Sequence, residues 1–115
     1  MWYNQAMAQA IDLEPIIERA VKALVEAIDP ERIILFGSAA RGEFGEDSDL
    51  DLLVVVQEAT LSPQVRIKAR EALFDLELPK DLLYTFPDRF EARKHLIGTI
   101  EEPAHREGRV LYERP

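Results

Sequence analysis

Apolar residues recur at Leu13, Ile16, Ile17, Ala20, Val21, Leu24, Val25 and Ile28. That i, i+3, i+4 spacing predicts a helix with one apolar face. Asp12 stands where an N-cap belongs, Pro15 suits the first turn, and Asp29-Pro30 ends the pattern. Glu18, Arg19, Lys22 and Glu26 fall on the outer face. Arg32 to Phe36 is a β-branched and apolar run between Pro30 and Gly37, the pattern of a buried strand. Gly37-Ser38 then reads as a strand-to-helix turn, with a short helix from about Ser38 to Arg41. Gly42 to Ser48 is a Gly-rich acidic loop. Leu50 to Val56 is a second buried strand, interrupted only by Asp51. A loop over Gln57 to Ser62 leads to a helix from Pro63 to about Leu76, with Val65, Ala69, Ala72, Leu73 and Leu76 inward. Pro79 breaks it, and Asp81 to Phe86 is a third strand. Pro87 to Glu107 is helical in pattern, in two pieces around Ile97-Gly98. Arg109 to Tyr112 is a short strand or an extended tail. Apolar strands separated by helices indicate a sheet covered by helices, an α/β (α+β) class, rather than a sandwich.

Composition narrows the setting. The chain has 115 residues, 14 Lys+Arg against 22 Asp+Glu, and a formal net charge of −8. That length suits one domain, residues 1–115, with a single core. There is no cysteine, which excludes a disulfide scaffold and a Cys-based zinc site. Two histidines, His95 and His105, are too few for a multi-histidine metal site. No apolar run approaches the ~20 residues of a membrane helix. Met1 to Gln5 carry no basic cluster of the signal-peptide kind. The expectation is a soluble, cytoplasmic protein. The acidic balance argues against a broad nucleic-acid surface, which rests on Lys and Arg. It leaves room for a small nucleotide site.

The acids that interrupt the strands carry the chemistry. Asp49 and Asp51 are two apart, so they share one face of the strand. Leu53 and Val55 continue that face as apolar. The carboxylates therefore sit where a buried face opens to solvent. Neighbouring carboxylates repel, and a hard divalent cation such as Mg²⁺ suits oxygen ligands of this kind. Asp81 opens the next strand the same way, sharing a face with Leu83 and Thr85. If the strands are neighbours, three carboxylates converge at one edge, as a one- or two-metal phosphoryl-transfer site requires. Gly37 permits close backbone approach, and a helix start offers free N–H groups to phosphates. Ser38 adds a hydroxyl, and Arg41 stands one turn later. No Gly-Lys-Ser/Thr follows, so this is not a Walker A loop.

Read together, Phe36-Gly37-Ser38-Ala39-Ala40-Arg41-Gly42 and Ser48-Asp49-Leu50-Asp51-Leu52-Leu53-Val54-Val55 resemble the minimal nucleotidyltransferase family of the DNA polymerase β-like superfamily. The shared signature is Gly-Ser, ten residues, then Asp-x-Asp. The resemblance extends to the leading helix, to the strand at Asp81 and to the tail from Gly108 to Tyr112. It implies a small mixed sheet flanked by helices. It implies Asp49 and Asp51 as Mg²⁺ ligands and Asp81 as a third carboxylate, on a metal or taking a proton from the attacking hydroxyl. Gly37 and Ser38 would hold the phosphates of ATP. Arg41 occupies the family's arginine position, where a phosphate contact, packing, and an ion pair with Glu43 or Glu46 all remain open. The resemblance further implies an antitoxin of the type VII kind, transferring AMP from ATP to a tyrosine of a HEPN-domain toxin encoded next door.

Two other functions stay open at this level. One is a non-catalytic module that masks such a partner. The other is nucleotidyl transfer to a small molecule or RNA, against which the charge and the lack of a second domain weigh. Trp2, Tyr3 and Met7 read as core residues or a partner patch. His95 reads as a surface or cap residue. His105, among Glu101, Glu102, Arg106 and Glu107, reads as part of a solvated face.

Overall fold

The computed structural model describes residues 12–45 and 47–115; Trp2, Tyr3, Met7 and Glu46 lie outside them. The order is α1 (Glu14–Ile28), β1 (Arg32–Phe36), β2 (Leu50–Val55), a 3₁₀ turn (Glu58–Thr60), α2 (Pro63–Ala72), β3 (Lys80–Thr85), α3 (Pro87–Arg93), α4 (Glu101–Glu107) and β4 (Arg109–Glu113). No helix among the described residues is long and apolar enough to cross a membrane.

Most elements follow the hydrophobic pattern, and the differences lie at their ends. Leu13, not Asp12, is the N-cap of α1, but the Asp12 carboxylate still accepts the Glu14 N–H at 3.1 Å. Asp29 closes that helix in a left-handed conformation at φ 46°. The helix α2 stops at Ala72, four residues before Leu76. There the backbone tightens to i→i−3 bonds, from Phe74 to Glu71 and from Leu76 to Leu73. The tighter turn keeps both Leu73 and Leu76 buried. Gly37 to Gly42 is a run of turns, not a short helix. Gly37 and Gly42 take φ of 76° and 75°, and the Glu43 N–H returns to Ser38 O at 2.8 Å. A left-handed residue at each end leaves room for one turn only.

The sheet is mixed, in the order β3-β2-β1-β4. The strand β1 pairs antiparallel with β2 and β4, and β2 runs parallel to β3. Helices α1 and α2 cover one face, over Ile33, Leu35, Leu52 and Val54. Helices α3 and α4 cover the other, where Phe90 and Ala104 pack on Ile34, Phe36 and Leu53. This α/β architecture agrees with the sequence expectation. It brings the end of β1 and the starts of β2 and β3 to one edge.

Candidate active site

Asp51 is the second residue of β2, opposite Phe36 on β1 and in register with Asp81 on β3. Parallel neighbours lie about 4.8 Å apart, so the two carboxylates leave the sheet side by side on the face of Leu53 and Thr85. Asp49 precedes the strand and is exposed, while Asp51 is half-buried. Gly37 follows β1 directly. A Cβ at that position would overlap the Asp51 carboxylate. Its left-handed φ and this close approach both demand glycine. The chain thus presses the Gly37 backbone onto Asp51. None of the hydrogen bonds among the described residues uses the main-chain N–H of Ser38 or Ala39.

Arg41 is engaged on two sides. Its Nε donates to Glu43 Oε1 and its Nη1 to Glu107 Oε1, each at 2.9 Å. The ion-pair alternative with Glu43 is therefore realised. Glu107, at the end of α4, is a partner that no local spacing announces. The pair of acids holds the Arg41 guanidinium firmly protonated, chiefly through the Glu43 bond.

Electrostatics single out Asp51. Burial pushes its carboxyl above the usual range, repulsion from Asp81 and Asp49 adds to that, and Arg41 works against it. A half-buried carboxylate with two repelling acids beside it is a donor set suited to a hard divalent cation. The Gly37 surface leaves the Asp51 oxygens uncrowded by a side chain. As they stand, the described residues contain no group of three His, Cys, Asp or Glu side chains close enough together to hold a metal. The structure pairs Asp51 with Asp81 and leaves Asp49 to the side.

Other acids and bases lie elsewhere. His95 and His105 stack edge to face at 5.0 Å, and neither is among the groups acting on Asp51. Glu101 departs from the expected solvated face. It is fully buried, and its Oε2 accepts the Thr85 hydroxyl at 2.6 Å. Sequence reading also missed a cationic trio beside Asp81. Arg66 and Arg70 of α2 and Lys80 of β3 line a pocket of about 300 Å³ together with Asp81 and Tyr84. Its only signal is the i, i+4 spacing of the two arginines.

A family model for the nucleotidyltransferase domain matches residues 16–107, which include every one of these site residues. The chain belongs to that family. Two proteins of Methanocaldococcus jannaschii that carry the name "Putative protein adenylyltransferase", MJ0141 and MJ0604, match this chain over short stretches. The first is 57% identical over 28 residues, 24% of this chain and 28% of its own length. The second is 46% identical over 44 residues, 33% of this chain and 44% of its own length. The matched stretches thus span less than half of either relative. A solved structure described as "Crystal structure of the toxin-antitoxin with AMP-PNP" superposes with a TM-score of 0.63 at 21% identity. It covers 85% of this chain and 73% of that one, a likeness of fold.

Proposed function

We propose that this nucleotidyltransferase domain transfers AMP from ATP to a hydroxyl of a partner protein. The observation that carries the reading is the seating of Gly37 on Asp51 with Asp81 in register beside it. Backbone N–H groups without a partner among the described residues and paired carboxylates thereby meet at one sheet edge. The names of the two M. jannaschii relatives and the toxin-antitoxin fold neighbour favour a protein acceptor. The sequence resemblance narrows that acceptor to a tyrosine of a HEPN-domain toxin from a neighbouring gene, with this chain as its antitoxin.

The strand order suggests how the reactants divide the site. The turn after β1 would hold the nucleotide phosphates on the Gly37 and Ser38 backbone and the Ser38 hydroxyl. Arg41, tied down through Nε and Nη1, would offer Nη2 to a phosphate oxygen. The acceptor would approach from the β3 side. Its hydroxyl oxygen would bond to the α-phosphorus as the bond to the bridging oxygen breaks. Pyrophosphate would leave, and Asp81 would take the hydroxyl proton. Asp51, with Asp49 beside it at the start of β2, would hold Mg²⁺, which when bound supplies charge stabilisation at the phosphoryl oxygens.

Separate incubations with ATP labelled at the α- and the γ-phosphate test the reaction class. The purified chain and its neighbouring-gene product would be the only proteins present. Label entering protein from the α position alone is expected, and is lost in Asp49→Asn/Asp51→Asn. Transfer from the γ position, or α-label retained by the double variant, contradicts the reading.

A further inference from the structure

We infer that the pocket beside Asp81 is the docking site for an acidic, extended segment of the acceptor protein, which adds to the outer edge of β3. The inference rests on the protein transfer proposed above and names the acceptor's chemistry.

Two independent features meet there. The first is charge. Arg66, Arg70 and Lys80 gather in one pocket on a chain of net charge −8. None of the ion pairs among the described residues uses any of the three. Arg66 lies over the Tyr84 ring at 4.7 Å, and the Lys80 Nζ donates to Leu76 O. Both cations are thereby held at the pocket with hydrogen-bonding capacity to spare. Burial pushes the Tyr84 phenol up while Arg66 and Arg70 pull it down, so both arginines act at this one spot.

The second feature is the backbone. The strand β3 is an edge, and no strand pairs beyond it among the described residues. The Pro79 and Thr85 carbonyls bond inward to Leu50 and Val56 of the β2 side. By the two-residue period, the main-chain groups of Lys80, Leu82 and Tyr84 point outward. An incoming strand would find donors and acceptors there, the usual basis of strand addition. Its acids would meet Arg66 and Arg70. Its hydroxyl would reach Asp81, which lies three residues and about 10 Å from Tyr84 along β3. The first eleven residues of this chain contain no acid, so they lack the charge this pocket selects.

The test uses the full chain without nucleotide and reads fluorescence anisotropy. One labelled peptide carries a tyrosine flanked by glutamates, and a second has glutamines in their place. Preference for the glutamate peptide of about tenfold is expected, the scale of one charged hydrogen bond. Arg66→Gln/Arg70→Gln should remove the preference. Both side chains are exposed, and a thermal melt verifies folding. Equal binding of the two peptides, or a preference that survives the double variant, overturns the inference. Tighter binding of single-stranded oligouridylate, lost in the same variant, overturns it in favour of nucleic acid. Transfer of α-label to the peptides is scored separately. Preference without transfer sinks the reaction and keeps the docking site, and transfer without preference does the reverse.

Discussion

Asp51 concentrates the conflict that a phosphoryl-transfer site must hold. Its carboxyl is raised by burial and by Asp81 and Asp49, so the folded chain binds that proton more tightly than the unfolded chain. The contribution to stability is present at low pH and is lost as pH rises through the raised folded value. Asp51→Asn should therefore melt above the wild type at neutral pH in EDTA, with the difference vanishing in acid. Denaturation midpoints across that range check the sign. The same variant should lose roughly a hundredfold or more of transfer activity, since charge stabilisation there is worth several kcal/mol. Gly37→Ala should damage both properties. A left-handed alanine costs about 1–2 kcal/mol, and its Cβ would overlap the carboxylate. Urea midpoints and rate measurements on the purified variant read the two losses. Glu101 makes a different kind of demand. Its Oε1 is buried with no partner among the described residues, and Thr85 is the donor to Oε2. Thr85→Val should cost about 1–3 kcal/mol, the penalty for a buried acceptor left bare. Calorimetric unfolding gives that figure, and an unchanged midpoint would contradict it.

The elements were legible wherever burial is periodic. The α1 stripe, the β1 and β2 runs and the Asp-x-Asp face all follow from spacing, because each buries one face against one layer. What spacing hides is the turn between them. Ser38 to Arg41 reads as helix by composition, yet two left-handed glycines close it after a single turn. At Gly37 the close approach is to Asp51, which lies fourteen residues further along. Glu107 shows the same blind spot. It binds Arg41 across 66 residues and ties the turn after β1 to the end of α4. Glu101 escaped notice because it stands in a charged run with Glu102, His105 and Arg106, yet it alone of these is fully buried. The Arg41 tie has a consequence for catalysis. Glu107→Gln should weaken the grip on the guanidinium and raise KM for ATP several-fold with a smaller change in kcat. A kcat change at constant KM would show that Glu107 acts on the chemistry instead.

At the scale of the molecule, the strand order separates two approaches to one edge. On the proposed reading, the nucleotide comes to the end of β1, at Gly37 and Ser38, and the acceptor to β3, at Asp81 and its cationic pocket. The Asp51 carboxylate sits between them. Strand β3 ends the sheet among the described residues, so the proposed acceptor would reach Asp81 without crossing another described strand. On the proposed reading, the partner protein brings its own acceptor hydroxyl to this edge. Co-expression with the neighbouring-gene product, followed by the partner's intact mass, tests this most directly. The account predicts one or more AMP additions on the partner with the wild-type chain and none with Asp49→Asn/Asp51→Asn. A stable complex of unmodified partner with both chains would contradict it and make the protein a masking module.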